Sequence, residues 1–217
     1  MISIPLFIVG AFAGLVAEVI ATGRSTGELR EEPSRAVAVG LVTALLFAGT
    51  PLVLEVDWTL PAYLWFIGVT VTLTLTDMDA KLIPNRILFP GTIVGILLLG
   101  MGALVEDGPI VRGLLGGTIY FALLFVVALF ARGGFGFGDV KLAFLLGLFT
   151  AYQSWDTLIV AVFAAFLLGG LVSLVLIVFR LRDRKDSIPF GPYLVAGAYL
   201  AVAWGSTIAD WYLGPAA

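Results

Sequence analysis

Thr157-Leu-Ile-Val-Ala-Val-Phe-Ala-Ala-Phe-Leu-Leu-Gly-Gly-Leu-Val-Ser-Leu-Val-Leu-Ile-Val-Phe179 is an unbroken run without one charged side chain. As a helix it reaches about 34 Å, enough to cross a hydrocarbon core of about 30 Å. Similar runs fill the chain on both sides of it, separated by charged or Pro/Gly-rich breaks. They place about eight spans near 2–22, 36–54, 61–77, 85–105, 110–131, 140–153, 156–179 and 189–213. The whole chain of 217 residues is 60% hydrophobic and 12% charged, with a mean hydropathy of +1.09. A soluble domain carries roughly twice that charge. The expected fold is an all-α, polytopic integral membrane bundle of about eight helices, forming one membrane-embedded domain over 1–217. The longest gap, Gly23 to Arg35, is too short to bury a core of its own.

The same composition excludes much chemistry. Without Cys there is no disulfide framework, thiolate nucleophile or Cys-ligated zinc, and without His neither a Ser-His-Asp triad nor an HExxH metal site can form. A net charge of −3 offers a nucleic-acid backbone no basic surface. Acid-base work is left mainly to carboxylates, and neither a cofactor nor a metal is expected.

Orientation follows from the twelve Lys and Arg, because basic loops stay on the cytoplasmic side. Arg24, Arg30 and Arg35 fall in loop one, Lys81 and Arg86 in loop three, Arg132 and Lys141 in loop five, and Arg180, Arg182, Arg184 and Lys185 in loop seven. Arg112 alone falls in an even loop. Odd loops are therefore expected inside and both termini outside, in a cytoplasmic (inner) membrane. The run from Val140 to Gln153 is short for a crossing, but without it four basic residues would lie outside. Trp58, Trp65, Trp155, Trp204 and Trp211 all fall toward the external ends, as interfacial anchors do.

Most of the fifteen acidic residues sit in loops or at external ends. Glu18, Asp77, Asp79 and Asp139 do not, and an acid at membrane depth is a functional hypothesis by default. Asp77 and Asp79 follow the threonine-rich Thr70-Val-Thr-Leu-Thr-Leu-Thr76. Thr70, Thr74 and Asp77 form one helical stripe and Thr72, Thr76 and Asp79 another, so the threonines do not choose between the acids. Both acids could equally cap a loop or pair with Lys81. Asp139 closes Arg132-Gly-Gly-Phe-Gly-Phe-Gly-Asp139, where four glycines predict a loop feeding the sixth span, with Asp139 on that loop or at a helix N-cap. The topology sets Asp77 and Asp139 at one depth on one side. Two carboxylates about 3 Å apart cannot both ionise, and a pair sharing a proton can activate water against a peptide. Lys141 either steadies Asp139 or extends to the interface.

Three blocks carry a resemblance. Asp77-Met-Asp-Ala-Lys-Leu-Ile-Pro-Asn85, Gly136-Phe-Gly-Asp139-Val-Lys-Leu142 and Ile188-Pro-Phe-Gly-Pro-Tyr-Leu194 resemble, in order and context, those of type IV prepilin peptidases, the GxGD-type membrane aspartic proteases. The resemblance implies that Asp77 and Asp139 are the catalytic pair, with Asp79, Pro84, Asn85, Gly136, Gly138 and Lys141 as supporting motif residues. It implies a core at about 61–213 preceded by a two-helix extension at about 1–60. The implied substrate is a pilin-like precursor whose basic leader is removed at the cytoplasmic membrane boundary. Many members carry a cysteine-rich zinc domain after the first span, associated with N-methylation; the short loop and absent Cys here imply no methyltransferase activity. Glu18 stands where the family usually has Asn, and helix packing or a protonated buried acid is the expected role. A rival reading is a proton-coupled transporter using the same acids, although these lie at the membrane edge rather than the midplane.

Overall fold

The computed structural model describes residues 2–23, 33–130, 136–179 and 189–213. Within them the chain forms α1 (Ser3–Thr22), α2 (Pro33–Val53), α3 (Leu60–Ala80), α4 (Asn85–Glu106), α5 (Ile110–Phe130), α6 (Phe137–Gln153), α7 (Trp155–Val178) and α8 (Gly191–Leu213). No strand occurs among the described residues. Six helices, α1 to α5 and α7, are each long and apolar enough to cross a membrane. The protein is an all-α polytopic membrane bundle, and each expected span coincides with one helix to within three residues at either end. The expected basic loop residues Arg24, Arg30, Arg132, Arg180, Arg182, Arg184 and Lys185 lie outside the described residues, as do Glu28, Glu31 and Glu32.

Helix ends have local causes. α1 stops at Gly23, whose φ of 67° is the left-handed conformation that glycine adopts without a Cβ penalty. α3 opens with Pro61 in its first turn, where a missing N–H costs nothing. A single residue, Ser154, separates α6 from α7, and its Oγ accepts the Thr157 N–H at 2.9 Å.

The chain divides into two compact units, 1–108 and 109–217. In the first, α1, α2 and α4 all pack on α3, and eleven of its twenty-one residues are buried. The α1–α2 seam is set by glycine: a Cβ on Gly10 would lie 2.8 Å from Ala44 Cα, and one on Gly14 would lie 2.8 Å from Gly40 Cα. Lipid tails are as apolar as Leu, so such close contact, rather than the hydrophobic effect, holds helices together in a bilayer. The Trp65 indole donates to the Gly91 carbonyl at 2.9 Å, joining α3 to α4. This tryptophan therefore packs helices instead of serving only as an interfacial anchor.

In the second unit α6 is the central helix, packed by α5, α7 and α8, with twelve of seventeen residues buried. Its length of about 26 Å falls short of the hydrocarbon core. Its neighbours cover it, which is how so short a helix holds a polar first turn. On α5, Gly113 and Gly117 approach the Leu148 and Phe144 carbonyls so closely that added Cβ atoms would lie 2.9 and 2.8 Å away. Arg112 of α5 closes the far end of α6, donating Nε to Ala151 O at 2.8 Å and Nη2 to Tyr152 O and Gln153 O at 2.6 Å. Those last-turn carbonyls have no partner within their own helix. The one basic residue that stood against the charge asymmetry is thus a helix cap.

Candidate active site

Burial sorts the carboxylates. Among the described residues three are buried: Glu18 at 1% exposure, Asp77 at 5% and Asp139 at 7%. Each lies at a helix end or near one, where polar groups can be met without exposing backbone to lipid.

At the end of α3, the helix runs three residues past its expected stop, so Asp77 and Asp79 both lie within it. Two residues along a helix turn a side chain by about 200°, which sends the two carboxylates to opposite sides. Asp77 is buried and Asp79 is exposed. Arg35 donates Nη1 and Nη2 to the two Asp79 oxygens at 2.9 and 2.6 Å, and its Nε stands 3.0 Å from Glu18 Oε1. One guanidinium therefore ties α1, α2 and α3. Two expectations change here. Arg35 belongs to the first turn of α2 and not to a loop. Glu18 is held as one half of an ion pair, with its Oε2 buried and without a hydrogen-bond partner among the described residues. Beyond Asp79, Lys81 ends α3 in the left-handed conformation, φ 52° and ψ 39°, and its N–H donates to Asp77 O at 2.9 Å.

The threonine stripes carry less chemistry than their sequence suggests. Thr70 donates to Phe66 O at 2.7 Å, Thr72 to Gly68 O at 2.8 Å and Thr76 to Leu73 O at 2.9 Å. Their hydroxyls are satisfied by their own helix, the usual way to carry such groups inside a membrane. Pro84 is extended and precedes α4, where its carbonyl accepts the N–H groups of Ile87 and Leu88 at 3.0 Å. Asn85, the first residue of α4, is exposed.

At the start of α6 the structure corrects the loop reading. Phe137, Gly138 and Asp139 form the first helical turn, Gly136 is the N-cap, and Asp139 is the third helical residue, neither a loop residue nor the cap. Its N–H donates to Gly136 O at 3.1 Å. A carboxylate there also faces the positive end of the helix dipole. Gly136 has an ordinary φ of −73°, so its reason is space: a Cβ would lie 3.1 Å from Asp139 Oδ2. Gly138 is half-buried. The Lys141 ammonium lies 4.9 Å from the Phe137 ring centroid, a cation–π contact, and that ring meets Phe125 edge-on at 6.3 Å. The remainder of the glycine-rich stretch, 131–135, lies outside the described residues.

Of the third block, Ile188 lies outside the described residues. Phe190 occupies the space left by Gly169 of α7, where a Cβ would meet its ring at 2.5 Å, and its centroid is 5.5 Å from that of Phe166. The block therefore seats α8 on α7. The structure brings Glu18, Arg35 and Asp79 together in the first unit, and Gly136 with Asp139 and Phe137 with Lys141 in the second. Arg35 is the residue that sequence reasoning passed over. Its signal was Glu18, because an acid buried in a membrane calls for a cation. No group of three acidic side chains that could hold a metal ion occurs among the described residues.

Residues 64–174 match the model of the type IV leader peptidase family. The prepilin leader peptidase/N-methyltransferase of Aeromonas hydrophila is 33% identical over 196 residues, covering 88% of this chain and 66% of that protein. The protein of the same name from Bacillus subtilis (strain 168) is 31% identical over 177 residues, 81% of this chain and 68% of its own length. That from Pseudomonas putida is 35% identical over 147 residues, 64% of this chain and 48% of its own length. The chain thus spans just under two thirds of the Aeromonas protein. No solved structure matches it.

Proposed function

The chain belongs to the type IV leader peptidase family, and from that premise we propose that it is a membrane aspartic endopeptidase removing the N-terminal leader of type IV pilin-like precursors. The observation that carries the assignment is the burial of Asp77 and Asp139 at the ends of the two most enclosed helices, α3 and α6, while Asp79 is exposed and engaged by Arg35. Family membership supports hydrolysis over proton-coupled transport. The charge distribution supports cleavage at the cytoplasmic boundary with both termini outside, and the whole of 1–217 acts as one peptidase domain. The short connection between α1 and α2, residues 23–32, and the absence of Cys support a peptidase without methyltransferase activity.

The proposed reaction requires that the two aspartates share one proton between them. The ionised carboxylate takes a proton from a water as its oxygen attacks the peptide carbonyl carbon, and the protonated partner donates to the carbonyl oxygen. The tetrahedral intermediate collapses when a carboxyl proton passes to the leaving amine. The C–N bond then breaks as the partner carboxylate takes back a proton from a hydroxyl of the intermediate, so the pair again holds one proton, and the leader's new carboxyl group, which ionises in water, separates from the new amine terminus. Asp79, Pro84, Asn85, Gly136, Gly138 and Lys141 shape the two helix ends on which this depends.

Cleavage of a pilin-like precursor in detergent or nanodiscs tests the proposal. Asp77→Asn and Asp139→Asn each lower kcat by about 10³-fold, within the usual range for a general acid or base. Folded variants that cut at wild-type rate refute the mechanism, and inactivity of Asp79→Asn alone refutes the choice between neighbours.

A further inference from the structure

The geometry points to Arg35 as a positioning residue, clamping the last turn of α3 through Asp79 so that the buried Asp77 keeps its orientation. The inference rests on the reading that Asp77 reacts. A helix terminus is mechanically weak, because its last carbonyls lack donors within the helix and its final turn frays. Asp77 sits in that turn, and its carbonyl depends on the Lys81 N–H at 2.9 Å. Asp79 lies between the two. Any unwinding at Asp79 therefore rotates Asp77.

Arg35 resists this at two points. Its planar fork meets both Asp79 oxygens, fixing the rotation of that carboxylate as well as its distance, which a lysine ammonium cannot do. The fork is itself held by Glu18, almost wholly buried in α1. The clamp thus reaches from the interior outward. The Arg35 and Asp79 side chains are 38% and 34% exposed, and partly exposed pairs add little to stability. What a two-point contact at a helix end supplies is geometry, and small displacements of a reacting group are expensive in rate.

The test reads kcat and KM separately for precursor cleavage by wild type, Asp79→Asn, Arg35→Gln, Arg35→Lys and the Arg35→Gln/Asp79→Asn double variant. Thermal unfolding and amide exchange across 77–83 accompany the kinetics. Each of Asp79→Asn and Arg35→Gln is expected to lower kcat about tenfold with KM within about twofold, and the double variant to be no worse than the poorer single one. Arg35→Lys recovers part of the loss, and the Lys81 amide exchanges faster in every weakened clamp. Arg35→Gln strands the buried Glu18, so Arg35→Gln is also made with Glu18→Gln, which removes that burden. A folded Asp79→Asn with wild-type kcat overturns the inference, as do multiplicative losses in the double variant. If wild type leaves the precursor uncut, or Asp77→Asn cuts normally, the peptidase reading fails instead. Exchange at Lys81 then decides the clamp alone, unchanged rates overturning it.

Discussion

The last turn of α3 and the first turn of α6 each carry a buried aspartate, yet they are built by opposite means. The α3 end is held by added chemistry: a guanidinium from α2, a carboxylate from α1 and a second aspartate on the far side of the same turn. At the α6 end a bare glycine leaves room beside the Asp139 carboxylate, α5 glycines make close contacts farther along, and Lys141 lies over the Phe137 ring. The difference follows from the helix ends themselves. A first turn presents free N–H groups and the favourable end of the dipole to a carboxylate, and the bare Gly136 leaves Asp139 room beside them. A last turn presents carbonyls, and an acid there gains nothing from them, so side chains must supply the order.

That contrast can be broken in graded steps. The largest effect is expected from the aspartates themselves, whose amide variants remove the chemistry from either end. Next comes Gly136→Ala, which adds one methyl 3.1 Å from Asp139 Oδ2 on a backbone that alanine tolerates. Steady-state kinetics should show kcat falling about thirtyfold with little change in melting temperature, because the carboxylate is displaced while the helix is not. Full activity in Gly136→Ala would show that space is not what the glycine provides. Arg112→Met should leave chemistry aside and destabilise the second unit by about 2 kcal/mol, the worth of charge-assisted bonds to the α6 carbonyls, visible as earlier thermal unfolding. The smallest effect separates the two ends directly. Raising salt from about 0.15 to 1 M shortens the Debye length from about 8 to 3 Å and should speed exchange of the Lys81 amide by less than about threefold, and by more than that of the Asp139 amide. Equal responses would mean that charge does not distinguish them.

Much of this was legible in the residue order. The apolar runs located the helices found among the described residues, since a bilayer demands about twenty apolar residues and tolerates few exceptions, while the shorter α6 was placed with the help of the charge asymmetry. The glycine pairs Gly10/Gly14 and Gly113/Gly117, each four residues apart on one helix face, lie on helix seams. Boundaries near the acids were less legible: α3 and α6 each run three residues beyond expectation, because Asp79 is neutralised by Arg35 and Gly136 serves as cap. The threonine stripes could not rank Asp77 above Asp79, and the Thr70, Thr72 and Thr76 hydroxyls, bonded to their own helix, carry no such information. Arg112 and Arg35 looked alike in sequence, as basic residues at the edges of spans. One caps a neighbouring helix and the other joins three.

Sequence alone determined that this is a helical membrane protein, that this chain carries no cysteine or histidine, and which few acids lie within or at the ends of apolar runs. These are consequences of composition and spacing along one helix, quantities that need no knowledge of neighbours. Only tertiary structure decided which acid of the Asp77/Asp79 pair is enclosed, what Glu18 is paired with and why residue 136 lacks a side chain. Each of those depends on what stands across the seam from another helix, and a linear periodicity says which face a residue is on but not what it meets.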